Sequence, residues 1–119
     1  MELKHPCKGD YLDKLLQPAT LALLCEGPAH GFYLLSELER RGLVSDADAA
    51  GFYRMLRKFE SDGKLDGMWD LRENEKPRKV YAITEKGRLC LKNWQDTLHQ
   101  YNCLVQKISQ AVDRAVAME

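Results

Sequence analysis

Residues 48–83 read DAAGFYRMLRKFESDGKLDGMWDLRENEKPRKVYAI, and two different periodicities follow one another inside this stretch. Phe52, Leu56 and Phe59 recur at i, i+4 and i+7, the spacing of one helix face turned to a core. Ala50, Arg54, Arg57 and Ser61 fall on the opposite side, flanked by Tyr53 and Lys58. The expected helix covers about 48–62, capped by Asp46 or Asp48 and closed by Asp62-Gly63. From Leu65 the period becomes two: Leu65, Gly67, Trp69 and Leu71 alternate with Asp66, Met68, Asp70 and Arg72. A polar turn over 73–78 then leads to a returning strand, Lys79–Ile83. The stretch is thus a helix followed by one β-hairpin with a charged tip.

The flanks complete the pattern. Residues 1–9 carry no periodicity and read as a flexible arm. Asp10 can cap a short helix with Tyr11, Leu12, Leu15 and Leu16 as its stripe, and Pro18 suits the first turn of a second helix over 18–26. Gly27-Pro28 ends that helix. A third helix is expected over about 31–41, burying Phe32, Tyr33, Leu34, Leu35 and Leu38, with Glu37, Glu39, Arg40 and Arg41 in water and Gly42 as a left-handed cap. Residues 43–47 make a short connection.

After the hairpin, Thr84 caps a last helix running to about 118. Leu91, Trp94, Leu98, Tyr101, Val105, Ile108, Val112 and Ala115 follow each other at alternating steps of three and four, an a/d seam. A helix of about 35 residues is about 50 Å long, more than a core of this size can cover, so the excess seam calls for the same helix of a second subunit. The expected fold is mainly α with a small β-hairpin: a winged helix-turn-helix over 10–83 and a dimerisation helix over 84–119.

Composition sets the frame. The chain has 119 residues, one domain's worth, with 18 basic and 18 acidic side chains and no net charge. Neutrality argues against a protein that merely coats nucleic acid or a membrane. The neutral total hides a basic edge, however: residues 72–88 hold six cations (Arg72, Lys76, Arg78, Lys79, Lys86, Arg88) against Glu73, Glu75 and Glu85. No apolar run reaches the ~18 residues of a membrane span, and the first 20 residues lack a signal-peptide core, so a soluble cytoplasmic protein is expected. Cys7, Cys25, Cys90 and Cys103 form no Cys-x-x-Cys pair, and Cys25 ends an apolar run as an expected buried thiol.

The side chains suggest a chemistry. Arginines on an outward helix face can enter a major groove and donate two parallel bonds to a guanine. Arg54, Arg57 and Lys58 are so placed, Tyr53 and Ser61 can donate to phosphate oxygens, and Lys76, Arg78 and Lys79 sit where a wing would follow the backbone. Outward cations on a helix are also simply a solvated face; the order of helix, basic hairpin and dimer seam favours double-stranded DNA. Elsewhere the sequence offers little. His99 and Cys103 share a helix face but supply two metal ligands at most, and His30 belongs to a turn, where it is expected on a backbone carbonyl. No nucleophile stands beside a base and no glycine loop cradles phosphate, so neither an enzyme nor a cofactor is expected. An oxidant acting through Cys7 or Cys103 is a minor further reading.

Four pieces of the chain carry a family resemblance. Leu24-Cys25-Glu26-Gly27-Pro28-Ala29-His30-Gly31-Phe32-Tyr33 resembles the Gly-Pro-x-His-Gly-Tyr/Phe signature of PadR-family transcriptional regulators. Phe52-Tyr53-Arg54-Met55-Leu56 is similar to that family's recognition helix, and Phe59-Glu60-Ser61-Asp62-Gly63 to its Leu-Glu-x-x-Gly exit. Lys79 to Gly87 is similar to its Lys-x-Tyr-x-Leu-Thr-x-x-Gly strand-to-helix junction. The match spans about residues 18–95 and looks like the members with a single C-terminal helix. It implies a homodimeric, ligand-responsive regulator, usually a repressor, with Tyr53 and Arg54 meeting DNA and Lys79 near the wing. Some members of that family bind planar aromatic molecules at the dimer interface, which makes Trp94 and its seam neighbour Leu98 the candidate ligand-binding residues for a small aromatic effector; plain packing of the dimer is the favoured account of Trp94. One departure stands out. Asp48-Ala49-Ala50-Gly51 replaces the usual Ser-Pro-x-Thr/Ser, and Asp46 and Asp48 put anions where phosphates should approach. Together with zero net charge, this keeps open a dimeric sensor or protein-interaction module that retains the winged fold with weak or lost operator binding.

Overall fold

The computed structural model describes residues 14–44, 48–72 and 74–119. The expected arm over 1–9, the stripe residues Tyr11 and Leu12 and the connection around Asp46 lie outside them. The elements run α1 (Leu16–Leu24), β1 (Ala29–His30), α2 (Gly31–Arg40), α3 (Ala49–Ser61), β2 (Leu65–Asp70), β3 (Arg78–Ile83) and α4 (Glu85–Ala117).

Helix α1 does not break at Pro18. It starts at Leu16, after a tight turn at Lys14–Leu15, and Pro18 is its third residue. There the missing N–H is one of those that lack a helical partner anyway. Its core side is Leu21 and Leu24; Ala22 and Cys25 share the other side, so Cys25 is exposed rather than buried. The thiol instead lies 3.7 Å from an Arg88 guanidinium nitrogen.

In α2 the buried stripe is Gly31, Leu34 and Leu38. Phe32 and Tyr33 fall off it and are 65% and 52% exposed, against the sequence expectation. Glu37 departs the other way. Arg40 and Arg41 both donate to its carboxylate and cover it, and Arg41 also binds Glu26 at 2.6 Å, fastening the end of α2 to the end of α1. Gly42 does adopt the left-handed cap (φ 71), with Leu43 N–H donating to the Leu38 carbonyl at 2.9 Å.

Helix α3 buries Phe52, Leu56 and Phe59, as its spacing predicts. The hairpin is part of a three-stranded antiparallel sheet in the order β1-β3-β2, because Ala29 and His30 pair with Tyr81 and Val80 on the far side of β3. Leu65 and Tyr81 close the core from the sheet, with Leu21, Leu24, Leu34, Leu38 and the three α3 residues. Toward its tip the hairpin leaves that core, and Trp69 and Leu71 stand exposed.

Helix α4 begins in a tight joint. The Thr84 hydroxyl donates to the Gly63 carbonyl at 2.6 Å and accepts from Gly87 N–H at 3.1 Å, while Thr84 N–H donates to the Lys64 carbonyl. A Cβ at Gly87 would stand 2.3 Å from that same carbonyl, so only glycine lets α4 lie against the end of α3. Leu91 and Trp94 then pack on the core, and every residue from His99 onward is exposed. The radius of gyration is 17.4 Å. A compact chain of this length would have about 14 Å; the outer half of α4 is the projecting part. Among the described residues no helix is long and apolar enough to cross a membrane.

Candidate nucleic-acid interface

The candidate surface is the outer side of α3 with the hairpin beside it. Burial of Phe52, Leu56 and Phe59 fixes the rotation of α3 and leaves Ala50, Arg54, Arg57, Lys58 and Ser61 exposed. Arg54 and Arg57 make no ion pair among the described residues, so both guanidinium forks are available. Lys58 is loosely paired with Asp62 at 3.3 Å and its side chain is 74% exposed. Tyr53 is half-buried. Its ring meets Phe52 edge-on at 5.9 Å and backs onto Gly31, where a Cβ would come within 2.5 Å. Tyr53 therefore locks α2 to α3.

Asp48 has a local explanation. Its carboxylate accepts from Ala50 N–H at 3.2 Å and Gly51 N–H at 3.1 Å, capping α3. The N-terminal end of α3 thus carries its own anion, at the place where an unoccupied helix start would attract phosphate.

The wing cations differ among themselves. Lys76 is exposed and unpaired among the described residues. Arg78 and Arg72 share Glu75 at 3.9 and 3.8 Å, and Arg72 also holds Asp70 at 3.0 Å. Such solvent-exposed pairs are weak and exchange readily for phosphate. Lys79 is another matter: its ammonium donates to Glu60 at 2.7 Å, which raises its pKa above the ordinary lysine value. His30 sits in β1 rather than a turn and faces a carboxylate rather than a carbonyl, with Nε2 3.4 Å from Asp70 Oδ2. Sequence reasoning missed β1, the Glu60–Lys79 pair and the His30–Asp70 contact, because each joins residues with no local pattern between them.

On α4 the seam divides into two parts. Leu91, Trp94 and Leu98 are half-buried. Tyr101, Val105, Ile108 and Val112 are about half exposed, and Leu104 and Val116 widen the same stripe. Among the described residues no group of three or more His, Cys, Asp or Glu side chains is placed to hold a metal.

Two helices packed on a shared core, a third that presents exposed arginines and a hairpin at its flank define a winged helix-turn-helix protein. The chain belongs to the PadR-like family of transcriptional regulators, whose model matches residues 20–93; this is a family of DNA-binding regulators, not of enzymes. A probable transcriptional regulator of Mycobacterium tuberculosis is 32% identical over 80 residues, 66% of this chain. That stretch is 42% of the relative, so the chain spans less than half the length of that protein. A PadR family regulator of Eggerthella lenta has a TM-score of 0.69 at 27% identity, covering 86% of this chain and 90% of that one. The PadR of Bacillus subtilis, solved in complex with operator DNA, has a TM-score of 0.61 at 25% identity over 67% of this chain and 46% of that one.

Proposed function

We propose that the chain is a homodimeric transcriptional repressor, working in the cytoplasm, that reads double-stranded DNA with α3 and responds to a small planar aromatic effector. The observation that carries this reading is the pair of exposed guanidinium groups, Arg54 and Arg57, which make no ion pair among the described residues and lie on the outer side of a helix whose other side is committed to the core. Arg54 and Arg57 read base edges in the major groove, while Tyr53 and Lys58 approach the backbone. Lys76 and Arg78 follow the backbone from the wing. The Bacillus subtilis relative was solved with operator DNA, which supports the same partner here.

Two copies pair through Leu91, Trp94, Leu98, Tyr101, Val105, Ile108 and Val112, covering an apolar stripe whose outer part, from Tyr101 on, one chain leaves in water. The effector lodges at Trp94 and Leu98, where the helix leaves its own core and the partner's helix arrives. A flat aromatic slipped between them alters the angle of α4, and the joint of Thr84 with Gly63 and of Gly87 with Lys64 passes that change to α3.

The test is anisotropy of labelled DNA from upstream of the chain's own gene, titrated with salt, alongside sedimentation. The reading expects a dimer at micromolar concentration and sequence-selective binding that survives above about 0.1 M salt. A monomer overturns it. So does binding that vanishes by about 0.1 M salt without sequence preference, the behaviour of a winged-fold sensor that reads no operator.

A further inference from the structure

Lys79 is built into the protein in a way that the other cations near α3 are not. Its side chain is 26% exposed and that of Glu60 30%, while Lys58 on the same surface is 74% exposed. The Lys79 ammonium donates to Glu60 Oε1 at 2.7 Å and lies 5.6 Å from the Trp69 ring centroid and 5.8 Å from that of Tyr81. Three elements meet there: Glu60 from the last turn of α3, Trp69 from β2, and Lys79 with Tyr81 from β3. Gly67 makes room for them. A Cβ at that position would stand 2.5 Å from Lys79 Cε and 2.7 Å from Glu60 Oε2. The Glu60 hydrogen bond is the largest influence on Lys79, whose pKa is raised despite desolvation and the nearby charge of Arg57.

We propose that Lys79 and Glu60, seated over Gly67 and between Trp69 and Tyr81, form a strut that fixes the wing relative to the recognition helix, so that Lys79 is a positioning residue and not a phosphate contact. To reach a phosphate, Lys79 would have to abandon a short charge-assisted bond and two aromatic faces together. Without the strut, α3 and the hairpin are held together by the shared core of Phe59, Leu65 and Tyr81 and by the turn over residues 62–64, all at the base of the wing. The spacing between base readout by α3 and backbone contact by the wing then becomes soft. This inference rests on the DNA-binding reading for its consequence, but the strut itself is present in the free protein.

Two variants of the full chain separate strut from contact. Gly67→Ala puts a methyl where the pair sits and changes no charge; the crowded atoms are ends of flexible side chains, so the strand is preserved. Lys79→Met keeps the stem between the rings and removes the charge. DNA affinity is measured against salt on the best-bound sequence, and amide hydrogen exchange is followed in the free protein. A strut predicts that both variants weaken binding by about three- to tenfold, that the double variant is no worse than either, and that the salt slope is unchanged. It also predicts β2–β3 amides exchanging roughly fivefold faster, with α1 and α4 unaffected. The proposal is overturned if Gly67→Ala binds as tightly as the parent or tighter while Lys79→Met lowers the salt slope by about 0.9 per subunit, the mark of a lost phosphate contact. Unchanged exchange in both variants overturns it as well. Should the parent protein prefer no DNA sequence, the functional reading fails, and the exchange measurement still decides whether the strut exists.

Discussion

Replacing Asp48 by serine separates the two roles of the residue that starts α3. The carboxylate caps the helix through Ala50 and Gly51 at 3.2 and 3.1 Å, and serine caps about as well. Asp48→Ser should therefore leave the melting temperature nearly unchanged, whereas Asp48→Ala should cost about 1 kcal/mol of stability. DNA affinity should move the other way. With a phosphate about 6 Å from the carboxylate, two unit charges in water repel by about 0.7 kcal/mol. Over both subunits of a dimer this is about 1.4 kcal/mol, or about tenfold in affinity at low salt. Asp48→Ser should thus bind DNA about tenfold more tightly at low salt, with the gain shrinking as salt screens it. Anisotropy titrations at several salt concentrations, beside thermal melts of the same samples, give both numbers. If Asp48→Ser melts like the parent and binds DNA no better at low salt, the start of α3 does not face the backbone and the docking orientation is wrong.

Arg54→Ala should remove about 1–3 kcal/mol of discrimination at one base position, whereas Lys76→Ala should weaken every sequence alike and lower the salt slope by about 0.9 per subunit; parallel titrations on matched and mismatched sites distinguish them. Ile108→Glu places a charge in the middle of the α4 stripe, where the side chain is 53% exposed in one chain, and should yield a folded monomer by sedimentation, with dimer-dependent DNA binding lost. Glu37 has its pKa lowered from 4.5 to about 2 by hydrogen bonds from Arg40 and then Arg41. The folded carboxylate takes up its proton less readily than the unfolded one. Its contribution is therefore complete above pH 4.5 and is lost as pH falls toward 2, and acid melts of Glu37→Gln should be flatter than the parent's in that window.

Most of the fold can be read locally. The i, i+4, i+7 spacing of Phe52, Leu56 and Phe59 sets the rotation of α3, and that rotation in turn places Arg54 and Arg57 outward. The α4 seam is equally plain, because its steps of three and four persist well past the point where the core ends. What escapes is whatever depends on partners distant in sequence. β1 is two residues long and exists only because β3 pairs with it. Phe32 and Tyr33 follow the helix period about as well as Leu34 does, yet Gly31 is what packs against Tyr53, and that contact turns both aromatics outward. Cys25 belongs to an apolar run but falls on the wrong side of its helix. Lys79 reads as one more wing cation until Glu60, nineteen positions earlier, is brought against it.

The wing, α3 and α4 converge on residues 60–64: Glu60 holds the wing, Gly63 and Lys64 hold the start of α4. In the proposed dimer the rod that pairs two copies would therefore be mechanically joined to two reading helices, and operator spacing should follow from it. The decisive measurement is selection of bound sequences from a random pool of DNA by the purified protein and by Arg54→Ala. The account predicts a two-fold symmetric consensus with half-sites about one helical turn apart, and loss of the same base preference in each half for the variant. A consensus without symmetry, or one that Arg54→Ala leaves intact, would contradict it.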